Sequence, residues 1–312
     1  MDNQTLMKQM HSIQKAGNNV TLRDDNARAF WLDQIAQAGT LPKLGTYFAL
    51  SGTGSIDSLG VKSRTLKKHQ GAATTADGTD IAEEGSVPFA LTPLYLDTWI
   101  ENSNTFYTAR TRGQDVRQAL LTLMQQQYAA DTQDLAFNGD EASSDKFLKL
   151  NDGFVKQAKA FGTNAGFSKL DVAKLPTIQE LTSFTAEIEP RYLRAGQYHW
   201  FMSQATAIHY VNELQDRNTA LGDATITNGQ LTNIGGYGVE VVENMDNDVI
   251  MFSTYENFTL VTGLNVTLTT AAQDSVAVAK QATYHFMLED VDFVIRNKKM
   301  VGIVTVKADA GK

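Results

Sequence analysis

Cysteine is absent from this 312-residue chain, which excludes disulfides, thiolate zinc or iron–sulfur sites and a cysteine nucleophile. Proline is scarce, five in all, and the 23 glycines are scattered, so no stretch reads as a low-complexity linker. No apolar run reaches the roughly 18–20 residues that a membrane span needs. The opening MDNQTLMKQMHSIQKAG is polar and lacks the apolar core of a secretory signal. A basic excess is missing too. The 27 Lys and Arg face 35 Asp and Glu, a net charge of −8, which argues against a dedicated nucleic-acid binder and leaves room only for weak, local contact with DNA. Together these absences describe a soluble chain suited to a reducing cytosol, with no membrane partner.

Signatures of catalysis are equally thin. There is no Gly-x-Ser-x-Gly elbow, no phosphate loop ending in Gly-Lys-Ser/Thr and no His-Glu-x-x-His. Gly52-Thr53-Gly54 starts like a dinucleotide fingerprint, but no third glycine falls in place and no helix follows, so it reads as a turn. The five histidines, His11, His69, His199, His209 and His285, stand at no recognised ligand spacing. Asp246-Asn247-Asp248 and Glu289-Asp290-x-Asp292 lack the glycine and distal glutamate of a calcium loop and read as a turn and a solvated strand edge. No catalytic, cofactor or metal residue is predicted.

What is present is ordinary globular material: 42% hydrophobic and 20% charged residues, enough for one large or two modest domains at ~100–200 residues each. Residues 1–44 read as an arm, with Phe30, Trp31, Ile35 and Ala36 at helical spacing on a face that needs a partner surface. Residues 45–108 form a long excursion with strand-like ends and a small, polar middle, Gly71 to Asp80. Such a hairpin cannot cover its own faces, and another subunit is expected to cover them. Tyr95, Trp99 and Ile100 are the apolar side chains expected to need that cover.

A long helix over 114–137 follows. Thr111-Arg-Gly-Gln114 has the form of a capping box, no proline or glycine interrupts it, and Leu120, Leu121, Met124, Tyr128 and Leu135 share one stripe. Asn138-Gly139 predicts a left-handed terminator. The remainder alternates short helices and strands: a helix opened by Pro176-Thr177, a strand at Tyr198–Met202 with a helix behind it, strands at Val239 and Val249, and a C-terminal hairpin of Tyr284–Leu288 and Val301–Val306 turning at Asn297-Lys298-Lys299. The class is α+β.

One charge pattern stands out. Lys62, Arg64, Lys67, Lys68 and His69 lie on the outgoing side of the excursion, and Asp77, Asp80, Glu83 and Glu84 on its return. Beside a merely solvated loop, the sharper expectation is that these arms meet complementary surfaces on neighbouring subunits.

This order of parts resembles the major capsid proteins of tailed bacteriophages, the Hong Kong 97-type fold. The resemblance is carried by Phe106-Tyr-Thr-Ala-Arg before the long helix and Asn151-Asp152-Gly153-Phe154 after it. Further on come Arg191-Tyr192 leading to His199-Trp-Phe-Met-Ser, and Gly236-Tyr-Gly-Val-Glu-Val-Val with Val249-Ile-Met-Phe-Ser and Asn257 to Gly263. Departures from the family pattern are Gly238-Val239 without the following proline and Met245-Asp246 in place of Met-Pro.

The resemblance implies an N-terminal arm (1–44), an extended loop (45–108) and a peripheral domain with the spine helix (109–195). It continues with an axial domain (196–280) and C-terminal strands returning to the peripheral domain (281–312). It implies a structural, non-enzymatic protein of the virion capsid, assembled in the host bacterial cytoplasm from hexamers and pentamers of itself around double-stranded DNA held by non-specific proximity. A portal and a separate scaffolding protein are implied partners, and a decoration protein is a further candidate. Phe30, Trp31, Lys62, Arg64, Lys67, Lys68, Asp77, Asp80, Glu83 and Glu84 are the expected inter-subunit contacts. Covalent crosslinking of the loop, known in some members, has Lys62, Lys67 and Lys68 as candidates by location only. Two other readings stay open: a bacterial nanocompartment shell enclosing cargo enzymes, and, more remotely, a cytosolic enzyme with an unrecognised site.

Overall fold

In the computed structural model the described residues are 20–21, 32, 36, 38–61, 66, 68, 71, 82–101, 116–161, 167–193, 197–215, 226–227, 230–264 and 266–307. Within them the strands are β1 (Val20–Thr21), β2 (Gly45–Ala49), β3 (Thr53–Val61), β4 (Ala82–Ala90), β5 (Thr92–Glu101), β6 (Ser168–Val172), β7 (Tyr198–Met202), β8 (Ile226–Thr227), β9 (Gln230–Leu231) and β10 (Asn233–Ile234). The series continues with β11 (Tyr237–Val241), β12 (Val249–Thr254), β13 (Phe258–Gly263), β14 (Thr267–Ala271), β15 (Ala282–Ile295) and β16 (Gly302–Val306). The helices are α1 (Val116–Asn138), α2 (Phe154–Ala160), α3 (Ile178–Phe184), α4 (Gln204–Gln215) and α5 (Ser275–Lys280). None is long and apolar enough to cross a membrane.

Two six-stranded sheets organise the chain. The first is built on β15, the longest strand at 14 residues. Its Ala282–Val291 stretch pairs antiparallel with β5. Along the other edge β14 and β13 lie end to end, β13 carrying β2 and β14 carrying β1. The second sheet runs β10-β11-β7-β12-β16-β6. Its β12 reads VIMFST, buried at every position, as a strand covered on both faces must be. One face packs on α3 and α4 through Leu181, Phe184, Tyr210 and Leu214. The other shares a core with α1, α2 and the first sheet.

The long helix forms as its composition dictates. Met124, Gln125, Tyr128, Ala129, Thr132 and Gln133 repeat at i, i+4, i+8 and are buried, while Leu123 is 61% exposed. Towards its end Leu135, Ala136 and Phe137 are all buried, because both sheets converge there. The side chains of Leu120 and Leu121, and the expected capping box at Thr111 and Gln114, lie outside the described residues.

The terminator works by a different means from the left-handed cap expected. Gly139 is not among the positive-φ residues. A Cβ on it would sit 2.3 Å from the Asn151 carbonyl oxygen, and one on Gly153 would sit 2.7 Å from that of Leu135. The two glycines let the helix end and the start of α2 touch backbone to backbone, joined by Gly153 N–H donating to Gly139 O at 2.9 Å.

Two other helices carry side-chain N-caps. Thr177 and Glu180 form a reciprocal capping box on α3. Ser203 Oγ accepts the Thr206 amide at the start of α4.

The expected C-terminal hairpin is not one. β15 belongs to the first sheet, whereas β16 pairs antiparallel with β12 and parallel with β6 in the second. The turn at Asn297–Lys299 therefore passes the chain between sheets. Strand pairing also links distant segments elsewhere: β6 joins β16, and β13 and β14 join β15. These partners are decided by long-range register, which local periodicity does not carry.

Candidate assembly interface

The hairpin β3–β4 is an antiparallel ribbon from Thr53↔Ala90 to Val61↔Ala82, and neither strand pairs with a third among the described residues. Its alternation separates two faces. Thr53, Ser55 and Asp57 with Ala90, Pro88 and Ser86 make a polar one. On the other, Ile56 and Phe89 are buried against Ala49, Val261 and Val294 of the first sheet. Gly54 is the position over which the Phe89 ring lies; a Cβ there would meet the ring at 2.7 Å. The turn expected at Gly52–Gly54 is the root of this hairpin, where Leu91 N–H donates to Gly52 O at 2.7 Å. Ala90 N–H donates to Asp292 Oδ2 at 2.9 Å, fixing the root to β15. Farther out, Ser58 and Gly85 face each other across the ribbon.

Of the expected contact residues, Lys68 is exposed, and Glu83 and Glu84 stand in register with Gly60 and Leu59. Phe30, Trp31, Lys62, Arg64, Lys67, Asp77 and Asp80 lie outside the described residues, as does the Phe106–Arg110 stretch.

A second surface was only half anticipated. The β5–β15 ribbon carries Tyr95 and Trp99 outward, 64% and 38% exposed. It adds Tyr284 and Phe286 to the same face, with ring centroids at 4.9 Å for Trp99–Tyr284 and 5.6 Å for Tyr95–Phe286. Lys280, at the end of α5, sits 4.3 Å over the Trp99 ring. Ile100, expected here, belongs to the opposite face by alternation and is half-buried. Leu94 and Met287 on that inner face are buried. The signal for Tyr284 and Phe286 was their alternation with polar neighbours, which marks one face of a strand.

Behind these surfaces lies a polar joint. Asn151 is buried and its Nδ2 donates to Val291 O at 3.4 Å and Asp292 Oδ1 at 3.3 Å. Gln157 Nε2 donates to Phe293 O at 2.6 Å and its Oε1 accepts from Ile295 N at 3.3 Å. These amides continue the ladder along β15 past the point where β5 ends. Phe154, fully buried, centres an aromatic cluster with Phe137, Phe258 and Phe293 at 4.9–6.0 Å. Burial pushes the Asp292 carboxyl up, against the hydrogen bonds from Ala90, Phe293 and Asn151. Asp140 is held low by the hydrogen bond from Lys156, an ion pair at 2.7 Å. That pair lines a cavity of about 460 Å³ at the spine end with Asp134, Asn138, Asn244 and Asp246.

His199 lies tilted against Tyr255, ring centroids 4.2 Å apart, and over Gly238, and burial lowers its pKa. Gly238, where the family has proline following, is thus held to glycine by the imidazole. His209 sits beside Tyr210 on α4. Asp246–Asp248 is a turn closed by Asp248 N–H donating to Asp246 Oδ1 at 3.2 Å. Asp292 of the supposed strand edge is not solvated but a member of the joint. Among the described residues no three His, Cys, Asp or Glu side chains converge on a metal-binding position.

The geometry is that of surfaces and struts around two sheets, and comparison with known proteins agrees with it. The sequence profile of the phage capsid family matches residues 19–306. The chain belongs to the phage capsid family. Its architecture is the Hong Kong 97-type fold. Over 195 residues this capsid protein is 25% identical to a Bacillus subtilis (strain 168) protein described as a prophage capsid protein, the match spanning 62% of this chain and 60% of that one. A chain of the satellite phage P4 procapsid, solved with size determination (Sid) protein, superposes with a TM-score of 0.72 at 13% identity, covering 99% of each chain. A virus-like particle from Pyrococcus furiosus superposes at 0.53 and 11% identity, covering 90% of this chain and 98% of that one.

Proposed function

We propose that the chain is the major capsid protein of a tailed bacteriophage head, self-assembling as hexamers and pentamers into an icosahedral shell around double-stranded DNA. The observation that carries this reading is the family match along nearly the whole chain. The uncovered hairpin and the outward aromatic face supply its physical sense. A ribbon of two strands is marginal alone, and laying it across a neighbour removes apolar area from water at about 25 cal/mol per Å². Many small contacts of this kind suit a closed assembly, where geometry supplies avidity.

In this reading residues 1–44 are an arm and 45–108 the extended loop. The first sheet with α1 is the peripheral body, and the second sheet with α3 and α4 the axial one. Phe30 and Trp31 on the arm contact neighbours. So do Lys62, Arg64, Lys67 and Lys68 with their acidic counterparts Asp77, Asp80, Glu83 and Glu84, setting register more than affinity. The protein acts structurally and not as an enzyme. It works with a portal and a separate scaffolding protein, with a decoration protein as a further candidate, and its place is the virion, after assembly in the bacterial cytoplasm. The acidic balance suits a container that does not grip its DNA.

A second reading, a nanocompartment shell holding cargo enzymes, draws on the likeness to the Pyrococcus furiosus particle. Negative-stain microscopy of particles from producing cells, with nuclease-protected nucleic acid assayed on the same sample, separates the two. Closed polyhedra with protected DNA are expected; closed shells holding protein move the assignment to the nanocompartment. Charge reversal of Lys67 and Lys68 to Glu is expected to lower particle yield while the monomer stays folded by circular dichroism. Normal particles from that variant remove the charge-register part of the proposal.

A further inference from the structure

Besides the long passage from β5 to β6 through α1 and α2, the chain crosses between the two sheets at two neighbouring places: Tyr255–Asn257, leaving β12, and Arg296–Met300, entering β16. Asn257, 3% exposed, ties the crossings together. Its Oδ1 accepts Asn297 N–H at 2.8 Å, its Nδ2 donates to Ser253 Oγ at 3.0 Å and to Asn297 O at 3.1 Å, and its carbonyl accepts Arg296 N–H at 3.1 Å. Two crossings zipped side by side make a narrow pivot. A pivot fixes where two bodies meet but leaves their angle to be set elsewhere.

To one side of it stands Glu240 on β11, 8% exposed. Lys43 Nζ donates to its Oε1 and Oε2 at 2.6 and 2.7 Å. Tyr255 Oη donates to Oε2 at 2.8 Å, and Thr40 Oγ1 to Oε1 at 3.1 Å. The Thr40 amide in turn donates to Gln133 Oε1 on α1 at 3.0 Å. One carboxylate of the second sheet thus holds the root of β2, which the spine also holds, and the crossing itself. Much of the remaining junction is the apolar core around Phe154 and Phe258, whose attraction is non-directional and tolerates small rotations, while Asn138 at the spine end donates to Asn244 O at 2.6 Å. Charge-assisted hydrogen bonds on a buried carboxylate do not, since each misaligned donor leaves desolvated charge unmatched.

We propose that Glu240 is the strut that sets the angle between the two sheets, and with it the curvature at which copies of the chain join. The inference rests on the shell reading above, and its test keeps the two apart. Particles would be purified from cells making the complete phage head with Glu240→Gln, Lys43→Met or Tyr255→Phe. Val304→Ala, which loosens the second sheet's core without touching the strut, is the control. The amides of Thr40, Lys43 and Leu44 are expected to exchange with deuterium about tenfold faster in Glu240→Gln and Lys43→Met, and less so in Tyr255→Phe. Particle diameters by cryo-microscopy are expected to shift or broaden in the strut variants and stay native in Val304→Ala. Native diameters in all three strut variants overturn the strut, and so does an equal shift in the control. If Glu240→Gln does not fold, Tyr255→Phe, which keeps the Lys43 pair and removes one hydroxyl, decides by the same readouts. A wild-type chain that closes no shells overturns the assembly reading instead, whatever the exchange rates.

Discussion

The second sheet and the β3–β4 hairpin are built from the same chain under opposite rules. β12 is buried at every position, with helices on one face and the joint on the other. The hairpin has one face seated only at its root, through Ile56 and Phe89, and small or polar residues beyond. A sheet closed on both faces carries its own stability. A ribbon left open must borrow it, and in the shell proposed above another copy would be the lender. The difference separates residues whose loss unfolds the subunit from residues whose loss is felt only when subunits meet.

The comparison can be broken at its strongest point first. Phe154→Ala empties the centre of the joint and is expected to cost about 3–5 kcal/mol, read as a shift in urea midpoint. A loss under about 1 kcal/mol would mean the joint is not the core of the subunit. Gly153→Ala drives a Cβ to 2.7 Å from the Leu135 carbonyl and should cost about 1–3 kcal/mol by the same measurement, with the spine end displaced. Tyr95→Ser with Trp99→Ser sharpens the other side: subunit stability should move by less than about 1 kcal/mol while shell yield falls steeply in sedimentation. Retained yield would free the aromatic face from any part in assembly.

The smallest effect is electrostatic. Asp171 is held low by the hydrogen bond from Thr305 and then by Lys307, so it stabilises the fold above its unfolded value of about 3.9 and that contribution disappears as pH falls through its depressed folded value. Asp171→Asn should therefore lower the urea midpoint at pH 7 and differ less from wild type near pH 3. Equal differences at both pH values would show that the carboxylate's charge plays no part.

How much of this was legible depends on whether a feature is local. The spine helix follows from a period of 3.6, and the strands at Tyr198 and Val249 from short apolar runs, which a window of sequence displays. The joint does not. Gly139 looks like a left-handed cap until Gly153 is seen against it, and Asn151, Asn257 and Gln157 look like ordinary polar residues until their amides are found on β15, or for Asn257 on the second crossing, 40 to 141 residues away. Sheet membership failed for the same reason, since Tyr284–Leu288 and Val301–Val306 read as a hairpin but find different partners. Gln125, Thr132 and Gln133, buried on the spine, blur the apolar stripe by which such a helix is recognised. What the sequence conveyed of the interface came from excess, an unpartnered ribbon and a paired run of charges, rather than from any motif.

The parallel pairing of β6 with β16 has a consequence for how the chain is made. Asp171 and Thr305 are hydrogen-bonded across 134 residues, and among the described residues β6 has no neighbour in the second sheet except β16. During synthesis β6, β7 and β12 therefore emerge long before the strand that joins two of them, and the sheet is left with a gap until residue 306 clears the ribosome. A nascent chain cannot present a finished second sheet to its neighbours. A chain broken off before that strand never can, so translation itself screens which subunits are eligible to enter a shell.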